Sequence, residues 1–156
     1  MAWQKYEQAS ALTFGGMPSR IPAEFMDLLE GDALGHLATS RADGTPHVTP
    51  VWIDHDGGTV LIDVRVDRVK AANMRTRPDV ALSIVDPRNP YRYIAITGRV
   101  VTWSEDGWRE HMDALSRRYL KVKKYPWSFA GERRAIFRIE VTRVYYENGD
   151  AEITEA

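Results

Sequence analysis

The chain contains no cysteine. Disulfides, thiolate nucleophiles and cysteine-bound metal or iron–sulfur centres are thereby excluded, and a reducing compartment is expected. A charge excess is also lacking: 21 Lys and Arg stand against 22 Asp and Glu, for a formal net charge of −1. A general binder of nucleic acid or of an anionic membrane surface needs many uncompensated cations, so neither partner is expected. No stretch approaches the ~20 apolar residues that span a bilayer. The opening segment, MAWQKYEQAS, shows no basic stretch followed by an apolar one. Cytoplasmic residence is the expectation. What is present is 44% hydrophobic and 28% charged residues in a chain of 156, enough apolar matter for the core of one domain.

Periodicity organises the chain into strands with short helices between them. Residues 1–20 are polar, with Gly15-Gly16 and Pro18 breaking any pattern, and are expected to form an arm; residues 148–156 are expected to form a tail. The domain between them, 21–147, starts with a helix over about 22–30, in which Pro22 suits the first turn and Gly31 the left-handed stop. Extended runs follow at Ala33 to Ser40 and Pro46 to Ile53, joined by the hairpin signal Asp43-Gly44. After Asp56-Gly57-Gly58, Val60, Ile62, Val64 and Val66 alternate with Leu61, Asp63 and Arg65, the pattern of a half-buried strand. Asp67 is positioned to cap a helix through Arg75. Val80 to Val85 and Tyr91 to Trp103 read as strands around a rigid Pro-rich turn, with Gly98 marking a bulge. Ser104 is expected to cap a helix begun by Glu105 and Asp106, whose stripe Trp108, Met112, Leu115 and Tyr119 is expected to pack, and Ile136 to Tyr146 is the last strand. Six extended segments with hairpin-length connections predict a mainly β fold, a small antiparallel barrel.

Motifs for most chemistries are missing. There is no G-x-S-x-G elbow, no G-x-G-x-x-G after a strand and no P-loop, and His36, His47, His55 and His111 form no short paired motif. No metal is assigned: His47 and His55 could share a strand face, but without cysteines or a nearby carboxylate cluster the histidines read as isolated surface or core imidazoles. The segment Asp67-Arg68-Val69-Lys70-Ala71-Ala72-Asn73 is different. Two cations at a helix start run against the helix dipole, and an anion such as phosphate would explain them; solvated first-turn residues are the plain alternative. Trp52, Tyr91, Tyr93 and Trp127 lie outside the helical stripe and suit a clamp on a flat heterocycle, or packing in a barrel or dimer interface.

The ordered segments Gly35-His36-Leu37-Ala38-Thr39, Asp43-Gly44-Thr45-Pro46-His47-Val48-Thr49-Pro50-Val51-Trp52, Arg68-Val69-Lys70-Ala71-Ala72-Asn73-Met74, Pro78-Asp79-Val80-Ala81 and Tyr91-Arg92-Tyr93 resemble the pyridoxamine 5′-phosphate oxidase-like split-barrel flavoproteins. Within them the chain looks most like the branch of deazaflavin (coenzyme F420)-dependent oxidoreductases. The resemblance covers about residues 22–146. It implies a six-stranded split β-barrel of the FMN-binding type and a homodimer with cofactor sites at the subunit interface. Arg68 and Lys70 would bind the cofactor phosphate, with Val69 and Asn73 beside them. Val48, Thr49, Pro50, Val51 and Trp52 would lie along the ring system, and Asp63, Val64 and Arg65 would border the ribityl chain and phosphate. Tyr91 and Tyr93 would approach from the partner subunit. Relatives carry a Ser or Thr hydroxyl near Asp63-Val64-Arg65 that is absent here, and Arg65 is expected to make that contact instead.

The activity this resemblance implies is hydride transfer from reduced F420 to an unsaturated acceptor of quinone, enone or tetrapyrrole type. Alternatives in the same fold are an FMN-dependent oxidoreductase and a non-catalytic flavin or haem carrier. Arg41, Lys121, Lys123 and Lys124 are candidates for the acidic tail of F420. No side chain stands out as a catalytic acid, and solvent is the expected proton source. The basic substrate-phosphate residues of true pyridoxamine phosphate oxidases are not evident near the C-terminus, so vitamin B6 oxidation is not expected.

Overall fold

The computed structural model describes residues 20–149; all of the predicted arm but Arg20 and most of the predicted tail lie outside them. Seven antiparallel strands form one sheet: β1 (Gly35–Ser40), β2 (Pro46–Val51), β3 (Asp54–Asp56), β4 (Thr59–Arg65), β5 (Asp79–Asp86), β6 (Asn89–Ser104) and β7 (Arg134–Asn148), in the spatial order β2-β1-β5-β6-β7-β4-β3. The mainly β antiparallel fold read from the sequence is correct, with one strand more. β3 is three residues long, too short to show alternation, and pairs with β4 across the turn at Gly57 and Gly58, both at positive φ.

Three short helices connect the strands: α1 (Asp27–Glu30), preceded by a 3₁₀ turn at Ala23–Phe25, α2 (Val69–Thr76) and α3 (Trp108–Tyr119). The single helix expected over 22–30 is thus broken in two, and Gly31 takes φ −86°, not the left-handed stop. Arg92 explains what holds this segment: its guanidinium donates to Asp27, Asp86 and the Glu24 carbonyl at 2.7–2.9 Å and lies over the Phe25 ring. At α2 the cap is Arg68, not Asp67, because Asp67 instead receives the Arg65 guanidinium (Nε to Oδ1 3.0 Å). At α3 the chain enters through Gly107 at φ 74°. Ser104, the expected cap, is still paired in β6, opposite Ile136, and its hydroxyl accepts the Asp106 amide.

The main core gathers Phe25, Leu29, Leu37, Ile53, Ile62, Ile84, Ile94 and Phe137, all fully buried. A second, smaller cluster of Trp108, Met112 and Leu115 packs with Trp52, Tyr119, Tyr125 and Ile136. It comes from laying α3 against β4 and β7 on the sheet's other face. The expected stripe of α3 therefore does pack, and it has a consequence for β4. That strand is not half buried: Val60, Leu61, Ile62, Asp63 and Val64 are all buried in succession, because one face meets the main core and the other meets α3. The expected bulge at Gly98 is present, as a register shift between Thr97 and Gly98 against β7.

Candidate functional site

Where β2 ends, β4 ends and α2 begins, the chain leaves a cleft of about 680 Å³. One wall is aromatic. Trp52, just after β2, stacks on Tyr119 of α3 (centroids 5.1 Å apart, planes 5° from parallel), and Tyr125 and Trp127 lie 6.3 Å from it in edge-on and tilted poses. Tyr125 and Trp127 are themselves at right angles, 5.8 Å apart. Trp127 and Phe129 remain well exposed, so the wall presents ring faces to the cleft mouth.

A second group of lining residues is cationic, and part of it lies against the rings, with Arg134 5.4 Å from the Tyr125 ring. Arg65, Arg68, Lys70 and Arg134 all line the cleft. Arg65 is engaged by Asp67 and lies 5.1 Å over the Phe129 ring, so the Arg65 expected to replace a missing hydroxyl is already partnered. Arg68 and Lys70 are not: neither side chain makes a hydrogen bond or ion pair among the described residues. Burial lowers the Lys70 pKa below the ordinary lysine value, and the nearby positive charges of Arg68 and Arg134 lower it further. Arg68 caps α2 and Lys70 lies in its first turn, where helix geometry leaves backbone N–H groups without intrahelical partners. An anion there relieves repulsion between like charges and takes up unmade hydrogen bonds together.

Behind this group lies a charge network that the sequence did not disclose. Asp63, buried at the middle of β4, accepts Arg134 Nε at Oδ1 (2.6 Å) and faces His111 Nδ1 through Oδ2 (3.2 Å). The other nitrogen of His111 faces Asp54 Oδ2, also at 3.2 Å. Burial alone would lower the His111 pKa, but the hydrogen bonds and charges of the two carboxylates outweigh it and hold it at about 9. Burial likewise works to raise Asp54, yet His111, the His55 amide and Arg118 bring it below the usual carboxylate value. His111 is therefore not an isolated imidazole, the reading its sequence neighbours suggested. Its partners lie 48 and 57 residues away, and no local motif announces them.

Among the expected site residues, the cleft brings together Pro50, Val51, Trp52, Asp63, Val64, Arg65, Arg68 and Lys70. It does not include Val48, which is 63% exposed on β2, or Thr49 and Val69. Asn73 is buried and spends its amide on Thr39 Oγ1 (3.0 Å) and Arg77 (3.2 Å), tying α2 to β1. Tyr91 and Tyr93 sit on β6, away from the cleft; Tyr91 is exposed and Tyr93 packs 6.1 Å from Tyr145. Trp52 and Trp127 thus share a wall that their expected companions Tyr91 and Tyr93 do not join. Among the tail candidates, Arg41 donates to Thr45 and the Pro46 carbonyl, and Lys121 to the Arg118 carbonyl, while Lys123 and Lys124 are exposed. Arg134, Glu132, Tyr125 and Phe129 line the cleft without having been foreseen.

An antiparallel sheet of this order, with a ring-walled, cationic cleft beside a helix start, defines a split-barrel protein. A family model described as pyridoxamine 5′-phosphate oxidase matches residues 21–148, and the chain belongs to that family of flavin-binding oxidoreductases. A solved F420 reductase is 34% identical over 80% of this chain and 98% of its own, with a TM-score of 0.71. A conserved hypothetical protein from Mycobacterium tuberculosis (21% identity, 87% of this chain and 89% of that one, TM-score 0.66) shares the fold. So does General Stress Protein 26 from Bacillus anthracis (17%, 80% and 91%, TM-score 0.58). No curated protein sequence matches the chain. Among the described residues no helix is long and apolar enough to cross a membrane.

Proposed function

We propose that this protein is an oxidoreductase that uses reduced coenzyme F420 to transfer hydride to an unsaturated organic acceptor of quinone, enone or tetrapyrrole type. The observation that carries the reading is the pair Arg68 and Lys70, two cations without a hydrogen-bonded or ion-paired anion among the described residues, lining one cleft together with Trp52 and its cluster of aromatic rings. A volume of about 680 Å³ falls in the range of small-molecule sites. The similarity to an F420 reductase favours the deazaflavin over FMN. The phosphate, ribityl chain and tricyclic ring are common to both, so Arg68 and Lys70 serve either one.

The residues present fit such a group. Arg68, Lys70 and the first-turn amides of α2 would hold its phosphate. Pro50, Val51 and Trp52 would border the ring, with Trp127 and Tyr125 excluding water from its surroundings. When bound, the reduced ring supplies the hydride. The protein's own contribution is to bind, orient and keep the site dry, and the proton is taken from solvent. In the same reading the protein is a homodimer, and Tyr91 and Tyr93, outside the cleft of their own chain, serve the partner's site.

The test is a parallel titration of cofactor-free protein with F420 and FMN, following quenching of each ring's fluorescence at fixed salt. Tight F420 binding with weak FMN binding, followed by turnover of a quinone, enone or tetrapyrrole panel with reduced F420, is the expected result. Binding without turnover makes the protein a carrier, the reverse preference moves it to FMN, and binding of neither overturns the reading.

A further inference from the structure

We propose that His111 is a positioning residue of the cleft: clamped between Asp54 and Asp63, it fixes the carboxylate that aims Arg134 at the acidic group of the bound cofactor. The inference rests on the cofactor reading above and names a residue that does not line the cleft.

The geometry runs through Asp63. Both of its carboxylate oxygens are taken, Oδ1 by Arg134 Nε at 2.6 Å and Oδ2 by His111 Nδ1 at 3.2 Å, and its backbone carbonyl accepts Arg134 Nη2 at 3.1 Å. Glu132 Oε1 accepts Nη1 at 3.1 Å. A guanidinium carries five N–H groups; three are used here, leaving one on each terminal nitrogen for a ligand. Arg134 is only 8% exposed, and it stacks over the Tyr125 ring at 5.4 Å, so its plane is set from several sides.

His111 supplies the remaining side of Asp63. Each of its ring nitrogens faces a carboxylate oxygen, and both can donate only in the protonated ring. Every charged group packed around it agrees. Asp54, from β3, also accepts the His55 amide and Arg118 of α3; Asp63, from β4, also binds Arg134 of β7, which is held in turn by Glu132. The three carboxylates are balanced by Arg118, Arg134 and the imidazolium. Arg68 and Lys70 add positive charge on the cleft side, and Arg65 is paired with Asp67. When His111 loses its proton, one ring lone pair must face a carboxylate. The tautomer that keeps its proton on Nε2 for Asp54 leaves Asp63 Oδ2 without its donor, and Arg134 then loses its fixed aim.

The test has two readouts. The first is the Kd for F420 and for FMN between pH 6.5 and pH 10 for the wild type and His111→Gln. We expect the wild-type affinity to fall about tenfold as pH passes about 9. The variant should already be about tenfold weaker at neutral pH, with that step gone. The second needs no cofactor: the Arg134 Nε–H signal in ¹⁵N NMR is expected to be protected in the wild type at neutral pH and to be lost in His111→Gln. Should that variant fail to fold, Asp54→Asn, which removes the carboxylate remote from the cleft, is expected to move the wild-type affinity step to lower pH. Wild-type affinity, an unshifted pH profile and a protected Arg134 signal in these variants would overturn the role of His111 alone. A wild type that binds neither cofactor overturns the functional reading, and the NMR signal still decides whether His111 fixes Arg134.

Discussion

Trp52 and Tyr119 stack with their rings 5° from parallel, and the Tyr119 hydroxyl donates to the Ala33 carbonyl (2.8 Å) while accepting the Ile53 amide (3.1 Å). One side chain of α3 thus supports the cleft's aromatic wall and fastens the β2–β3 connection to Ala33, two residues before β1. Tyr119→Phe keeps the stack and removes both hydrogen bonds. Leaving the Ile53 amide without its partner is expected to cost roughly 1–3 kcal/mol. Urea unfolding checks this; a change within experimental scatter would mean that the hydroxyl is replaceable by water.

Lys70→Glu places an anion beside Arg68 and Arg134 in the cleft. Cofactor affinity is expected to fall by at least about tenfold at low ionic strength, with the gap to wild type narrowing as salt rises. Fluorescence titration at two salt concentrations reads both quantities. Equal affinities would remove the phosphate from this group of cations.

His111 also makes stability depend on pH. Its folded pKa of about 9 lies above the ordinary value of 6.5. The stabilisation is therefore fully present below pH 6.5 and is lost as pH rises through 9. It amounts to about 3 kcal/mol as an order of magnitude. Thermal unfolding between pH 6 and pH 10 is expected to show a Tm that declines more steeply in the wild type than in His111→Gln.

Gly98 has no room for a side chain. A Cβ there would lie 2.6 Å from Ile139 Cγ2 and 2.8 Å from the Glu140 carbonyl oxygen, at the bulge that bends β6 against β7. Gly98→Ala is expected to destabilise the fold by roughly 1–3 kcal/mol through forced shifts in β7. Chemical denaturation measures it, with unchanged cofactor affinity in the protein that remains folded.

The sequence disclosed what depends on near neighbours. Asp43-Gly44 does make the β1–β2 turn, with Gly44 at φ 85° and the Asp43 carboxylate accepting the Thr45 amide and hydroxyl. The stripe of α3 is buried, and Arg68 and Lys70 do open α2. It hid what depends on distance along the chain. Asp63 reads as the outward face of an alternating strand, yet α3 covers that face, and only the fold reveals His111 and Arg134 around it. Arg134, 71 residues from Asp63, could not be distinguished from the neighbouring Arg133, which pairs at the surface with Glu105.

The two unpartnered cations of α2 reach beyond recognition of a ligand. Their mutual repulsion weakens the empty chain, and any anion that binds only the folded form adds its binding free energy to stability, about 2.7 kcal/mol when its concentration is a hundredfold above Kd. A chain held in this way unfolds less often when its ligand is plentiful and is exposed to proteases when it is scarce. On the proposed reading, the cellular lifetime of the protein is expected to follow the supply of the molecule that fills its cleft.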